Sequence, residues 1–575
     1  MTSRATPWHS LVSVIDRIGT VLAAVWMFAA RTWMAALVLV AADLLARRGR
    51  RLELRPLLRA LHRPLWQAML IAAGVSLVVS LSVFAVRGEP LPNEQDERNH
   101  LLVADTLRHG RLANPSHPMW RQLEDPIAIH YPVYASKYPI GNGILLVFGE
   151  IAFGLPIAGI WIASAAAAAA VVWAARAWLT PSWSLLAGLA IALHPTFTDW
   201  NTAYQRGSLP AFAAALLLGA AARLCRRPSS RLMAIAATAL MILAISRPFE
   251  GLVYAIGVGL FVVIRAPRKI ALLARKSAIA IPIVAAGFTL IAMHNRAVTG
   301  SVFEHPHLLH DRQYERAPNF VWQPPYPPKT YRSEELRGLF AGSYWSFYQR
   351  LTAPGGWWRV GIVEKFLTMG EIAFPPPSSR GVIGSAYALQ FAPLVVLPWS
   401  LHRRRTRLLL LILLSAAIAP LLFVQPVLGQ YIAPATAAAT ILYVLLAREL
   451  VARFPARGAM IVFATIAFCL PFAIQSAIEI ARKPQPAIES NRRAIVAQLE
   501  RVPGKDLILV PPNIFNCVYN AADVDAAPVV WARQLGPGSD AELLHYFRDR
   551  HPWQLVRAAG GLAVKPAQRS VQKAP

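Results

Sequence analysis

Hydrophobic residues along this 575-residue chain come in long blocks rather than in stripes. LWQAMLIAAGVSLVVSLSVFAV and IAGIWIASAAAAAAVVWAA are uncharged from end to end. A helix of about 20 such residues is long enough to cross a hydrocarbon core. Spans are readable at about 66–86, 157–176, 182–196, 207–222, 232–246, 250–264, 277–294, 381–398, 408–424, 431–447 and 459–478. The stretch 20–46 is apolar but interrupted by Arg31, and is either a further span or an interfacial helix. The pattern predicts a polytopic α-helical membrane protein with about 11–12 transmembrane helices.

The polar segments between the blocks orient them. Arginine is concentrated in short loops, as in ARRGRRLELRPLLRALHR, RLCRRPSSR, RAPRKIALLARK and LHRRRTR, and such loops stay cytoplasmic. With 47–63 inside, the span at 66–86 runs outward. Strict alternation then places 223–231, 265–276, 403–407 and 448–457 inside, provided one apolar segment does not cross. That segment is YPIGNGILLVFGEIAFG (138–154), which is short and carries Pro139, Glu150 and several glycines. It is expected to lie at the outer face as an interfacial or re-entrant helix. Three regions follow: 1–64, an N-terminal apolar segment and basic loop; 65–480, a transmembrane domain with outer loops at about 87–155 and 295–377; and 481–575, a periplasmic tail. In the tail KDLILVPP reads as a strand and DAELLHYFRDRHPW as a helix opening on Asp540, a small α/β domain.

Composition agrees with this pattern. The chain is 55% hydrophobic and only 15% charged, where soluble domains carry roughly 25% charge. A net charge of +28 would suit nucleic acid, but no nucleic-acid motif accompanies it. The basic loops suit anionic lipid instead. Three cysteines, Cys225, Cys469 and Cys517, fall in different environments, so neither a disulfide framework nor a metal cluster is expected from them.

The outer face gathers the candidate chemistry. LPNEQDERNHLLVADTLRHGRLANP follows the outward span and carries Asp96 and Glu97 side by side. On a helix neighbours point about 100° apart, so one acid can face a cavity while the other takes hydrogen bonds from the protein. A carboxylate partly desolvated at a membrane boundary becomes a better base. A solvated loop with helix-capping acids is the plainer alternative. Lys137, in HYPVYASKYPIGNG, is placed to snorkel or to pair with a lipid phosphate. Arg206, Arg247 and Asp199 fall at outer ends of spans, and Glu250 lies where it can pair with Arg247. His305, His307 and His310 lack a helical metal-binding signature, so no metal is expected.

The acidic pair after an early span, then ADTLRHGRL, then YASKYPIGNG opening a juxtamembrane helix, resembles the GT-C superfamily of membrane glycosyltransferases. The branch that it is most similar to holds protein O-mannosyltransferases and the aminoarabinose transferase that modifies lipid A. ANPSHPMW, SRPFEG, NRAVTGS, QYIAPATA and VYNAADVDAAPVVWAR resemble stretches shared by a group of bacterial membrane proteins in that branch. The resemblance implies a glycosyltransferase of the bacterial inner membrane with its site on the periplasmic side. Its donor is a sugar on a polyprenyl-phosphate carrier; its acceptor is an envelope lipid, glycan or protein. No metal or other cofactor is implied, and one direct displacement inverts the anomeric centre. Asp96 becomes the base with Glu97 beside it, Lys137 holds the carrier phosphate, and Arg206 or Arg247 assists. The motif's usual Lys-Pro-Pro reads Lys-Tyr-Pro here, and the expected place of a second acid holds Arg206, with Asp199 nearby but out of register. A flippase for a lipid-linked polar substrate is the alternative, though it would favour internal repeats and helices broken at the midplane. A non-catalytic envelope-assembly subunit of the same fold is the third reading.

Cysteine-accessibility labelling tests the topology. Residues placed at 96, 137 and beyond 481 should react with an impermeant reagent from outside, and one placed at 404 only from the cytoplasm. A tail labelled from the cytoplasm contradicts the arrangement.

Overall fold

The computed structural model describes residues 54–375 and 387–567, apart from 502 and 559, with a few positions between 40 and 47. Most of the apolar stretch 20–46 and the first residues of the span expected at 381–398 lie outside the described residues.

The protein is a polytopic α-helical membrane protein with a small C-terminal domain built on a β-sheet. Among the described residues seven helices are long and apolar enough to cross a bilayer: Leu65–Arg87, Ile157–Ala175, Pro248–Arg265, Pro267–Thr299, Arg404–Leu422, Gly429–Arg453 and Pro455–Arg482. Five apolar helices are shorter: Gly141–Phe153, Pro181–Ala192, Ser208–Leu224, Ser230–Ser246 and Leu389–Ser400. The spans expected at 182–196, 207–222, 232–246 and 381–398 therefore correspond to short helices. Pro195 opens a separate helix, Pro195–Trp200, which ends the preceding one early. The segment 138–154 forms Gly141–Phe153, whose 13 residues rise only about 20 Å.

Small residues let the central helices meet. Ile157–Ala175 buries Ala167, Ala168, Ala174 and Ala175, and Ser208–Leu224 buries Ala213, Ala214 and Ala215. A Cβ at Gly219 would lie 2.4 Å from the Trp173 ring, so only glycine admits that approach. Close backbone contact of this kind carries helix association where the surroundings are apolar. Peripheral helices keep exposed apolar side chains, such as Leu70, Val78 and Leu81 on Leu65–Arg87, as lipid-facing surfaces do.

Outside the bundle, the segment expected as the first outer loop forms helix Gln95–Arg108 and a small antiparallel sheet of Asn114–Pro115, Val133–Ser136 and Ala128–Ile129. The second carries Pro306–Tyr314 and a series of short helices from Glu334 to Ala373. The tail has helix Ala487–Leu499 and a four-stranded sheet in the order Val529–Arg533, Lys505–Val510, Arg550–Ala558, Gly561–Pro566. Its inner pairs are parallel and its last pair antiparallel. The helix read over DAELLHYFRDRHPW is Pro537–Tyr546, and the strand Arg550–Ala558 takes its last four residues. Pro552 cannot continue a helix, and WQLV after it suits a strand.

Strand alternation divides the tail's apolar residues between two faces. Ile508 and Val510 pack with Ile495 and Leu499 of the tail helix. Leu507 and Leu509 pack with Leu102, Met119, Leu123 and Tyr134 of the first outer loop. The tail thus clamps helix Gln95–Arg108 from outside.

Candidate active site

Helix Gln95–Arg108 starts at Glu94, whose backbone is extended, and both Asp96 and Glu97 sit in its first turn. Negative charge is favoured there by the unpaired N–H groups of the helix start. The two acids then part company. Glu97 is buried, with 2% of its surface exposed, and its Oε2 accepts a 2.7 Å hydrogen bond from the Asn93 backbone N–H. This reach back across the helix start resembles a capping box. Burial pushes Glu97 up to about 7, against the opposing pull of the Asn93 N–H and Arg206. Asp96 remains half-buried. Its carboxylate meets the Tyr138 phenol, which burial and Asp96 together hold well above the usual tyrosine range, so that it stays a donor.

Tyr138 joins several of the expected residues. Its ring stacks on His100 with centroids 4.6 Å apart. His100 is one turn from Asp96, and burial, with Arg247 adding, drives it down to about 3, so it stays neutral. Arg247 lies 5.4 Å from the Tyr431 ring and pairs with Glu250 at 3.5 Å. On the other side Lys137 Nζ lies 5.7 Å from the Tyr138 ring.

Lys137 is 3% exposed and makes no hydrogen bond among the described residues. It borders a buried group from the second outer loop, His310, Asp311 and Glu315. Burial pushes Glu315 up to about 8, opposed by Lys137, and neither of its oxygens has a hydrogen-bond partner among the described residues. Burial pushes Asp311 up as well, but His307, His310 and Lys137 outweigh it and hold Asp311 well below the usual carboxylate range. One ligand atom from each of His310, Asp311 and Glu315 lies within 4.8 Å of the others. A metal could use such a set. Lys137 already sets positive charge against it, so it is not a convincing metal centre.

Arg206 and Asp199 form the flank nearest the bundle. Arg206 donates to Glu94 at 2.9 Å, and Gln205 donates to the other Glu94 oxygen at 2.5 Å. Burial pulls Arg206 down, but Glu94, Asp199 and Glu97 together raise it. Asp199 stands on Pro195–Trp200, within electrostatic reach of Arg206 and Arg87. Tyr138, Tyr344 and Tyr431 all lie within electrostatic reach of Asp96, while Lys137 approaches the Tyr138 ring and Arg247 the Tyr431 ring.

Several residues here have no sequence signal beyond their type. Glu94 and Tyr138 stand in the quoted motifs, next to the residues singled out. Tyr431 stands in the quoted QYIAPATA, whereas Glu315 and Tyr344, which lies within electrostatic reach of Asp96, join the cluster only through the fold. Arg98 is the other omission. It points away from Asp96 into the tail, donates to the Asn516 carbonyl at 2.7 Å, pairs with Glu489 at 3.5 Å and stacks over Tyr519. Asn516 has φ of +60°, a left-handed conformation that asparagine tolerates better than most residues. Its backbone N–H donates to Glu335 at 2.9 Å, and Glu335 is also bound by Arg533.

No family model and no curated protein matches the chain. Among solved structures it is similar to the oligosaccharyltransferase of Archaeoglobus fulgidus tethered with an acceptor peptide, at a TM-score of 0.44 and 13% identity over 78% of this chain and 61% of that one. The same archaeal enzyme with an inhibitory peptide and a dolichol-phosphate gives 0.44 and 14%, over 77% and 62%. ArnT from Cupriavidus metallidurans bound to undecaprenyl phosphate gives 0.43 and 13%, over 78% and 83%. The chain thus spans less than two thirds of the archaeal enzyme's length.

The raised Glu97 carboxyl has a consequence for stability. An unfolded glutamate titrates near ~4.3. Between there and about 7 the folded protein binds more protons at Glu97 than the unfolded chain does. Its contribution is therefore complete at low pH and is lost as pH rises through that window. Glu97→Gln keeps an acceptor for Asn93 and removes the charge. Thermal melts from pH 5 to pH 8 should show the variant gaining on the parent by on the order of 1–3 kcal/mol. Parallel pH profiles would show that Glu97 ionises freely in the fold.

Proposed function

We propose that the protein transfers a sugar from a polyprenyl-phosphate carrier to an envelope acceptor at the periplasmic face of the bacterial inner membrane. The observation that carries this reading is the inequality of the adjacent acids. Asp96 is half-buried and meets the Tyr138 phenol, while Glu97 is buried and tied to the backbone. The sequence resemblance assigns the base to the same position.

In this scheme an acceptor hydroxyl attacks the anomeric carbon and Asp96 takes its proton. The bond from that carbon to the carrier phosphate breaks, and the configuration inverts. The departing phosphate carries the developing charge. In this reading its charge is stabilised by Lys137, which lies near the Tyr138 ring, and by Arg247, which lies near the Tyr431 ring. Lys137 needs no rearrangement of its own hydrogen bonds to do so, since it makes none among the described residues. Arg206 is engaged by Glu94 and acts chiefly on the field around the acids. Asp199, within electrostatic reach of Arg206 and Arg87, balances their charge rather than taking the proton. Glu97 fixes the helix start. No step passes through a metal. The acceptor and the sugar are set by contacts that these residues do not specify.

Single-turnover transfer from a defined polyprenyl-phosphate sugar tests the assignment. Asp96→Asn keeps shape and some hydrogen bonding, and should lower turnover by roughly 10²–10⁴-fold with donor binding unchanged. Glu97→Gln should cost much less in turnover. Transfer at the parent rate by Asp96→Asn would remove Asp96 as the base.

Carrier binding is a separate expectation. Photo-crosslinking to a polyprenyl-phosphate analogue should fall in Lys137→Ala while the melting temperature stays near the parent's. Equal crosslinking would take Lys137 out of the phosphate site.

A further inference from the structure

The opposite end of the bundle holds a second polar site. A cavity of about 170 Å³ opens between the short helix Leu397–Ser400 and the end of Gly429–Arg453, lined by Trp399, Ser400, His402, Arg403, Glu449 and Arg453. A single water needs only ~10–15 Å³ on the same measure. Glu449 is the one acid in the wall and is 8% exposed. It is neutralised twice over, by Arg403 at 2.9 Å and by Arg405. Arg453 is left over. It forms no ion pair among the described residues and lies 5.3 Å from the Trp399 ring. Three arginines against one carboxylate leave the cavity positive, and it is Arg453 that has charge to offer a ligand.

The rim indicates where that ligand comes from. Trp399 is 47% exposed, and Val395, Leu401 and Phe454 are exposed beside it. This apolar border stands at the end of a helix long enough to cross the membrane. A half-exposed tryptophan beside an arginine marks the depth of lipid headgroups. A soluble anion would gain nothing from the apolar rim, whereas a lipid would lay its chains along it. We propose that this cavity binds the phosphate of an anionic phospholipid headgroup, with Arg453 as its principal contact and Arg403 as its second. The proposal is independent of the sugar-transfer reading, since none of these residues belongs to the outer cluster.

Native mass spectrometry of the detergent-purified protein measures this directly. Phosphatidylglycerol should bind more tightly than phosphatidylcholine of matched chains. Arg453→Gln breaks no ion pair, and should weaken phosphatidylglycerol about five-fold while leaving phosphatidylcholine unchanged. Trp399→Ala should weaken both lipids, because it removes the apolar rim. Arg268→Gln, in another basic loop, controls for bulk charge and should have little effect. Equal binding of the two lipids by the parent overturns the proposal. So does an Arg453→Gln loss no greater than that of Arg268→Gln, with both variants melting near the parent. Glycerol phosphate binding as tightly as phosphatidylglycerol would give the cavity to a soluble anion, and would also overturn it.

Discussion

A carboxylate with 2% of its surface exposed must be protonated or matched by nearby donors, and Glu97 is in that position one residue away from Asp96. Helix Gln95–Arg108 can bury it because charge is answered on every side of the helix. Asn93 caps Glu97 from behind, Arg206 approaches from the bundle, and Arg98 turns outward to Glu489 and Asn516 in the tail. Removing one member leaves another buried and unpaired, which costs more than the pair itself contributes. The rigid placement of Asp96 follows from this matching. The tail has a part in it, since its sheet packs on Leu102 of the same helix.

The cations divide by the company that they keep. Arg206 is held by Glu94, Arg98 by the tail, and Arg247 in part by Glu250. Lys137 has buried acids near it but no hydrogen bond to them. A buried ammonium in that state gains most from a new anion. Tyr138 is what connects it to Asp96, with its ring against His100 and its phenol against Asp96.

Much of this was legible in the sequence. Uncharged blocks near bilayer length announced the long helices, and the glycine- and proline-marked segment 138–154 forms a helix of only 13 residues. The spans around 182–246 were harder, because apolar composition alone cannot show where Pro195 ends a helix. The tail's strand at KDLILV was readable as a short apolar run, while the strand Arg550–Ala558 hid behind a helical pattern. Within the site, the acids and Lys137 were found because their types and neighbours stand out. Tyr344, Tyr431 and Glu315 come from distant segments, and their approach depends on tertiary packing that no local spacing records. The direction of Arg98 was hidden for the same reason: helical periodicity gives its face but not the partner on that face.

The central claim is that one outer cavity holds the carrier phosphate beside Asp96. A structure of the protein with a bound polyprenyl phosphate tests it most directly. The account predicts the phosphate against Lys137 and Arg247, with Asp96 across the space where an acceptor hydroxyl would stand and Glu97 still buried on the Asn93 amide. A phosphate bound elsewhere on the outer face, with Lys137 turned onto Glu315 and Asp96 facing bulk water, would contradict it.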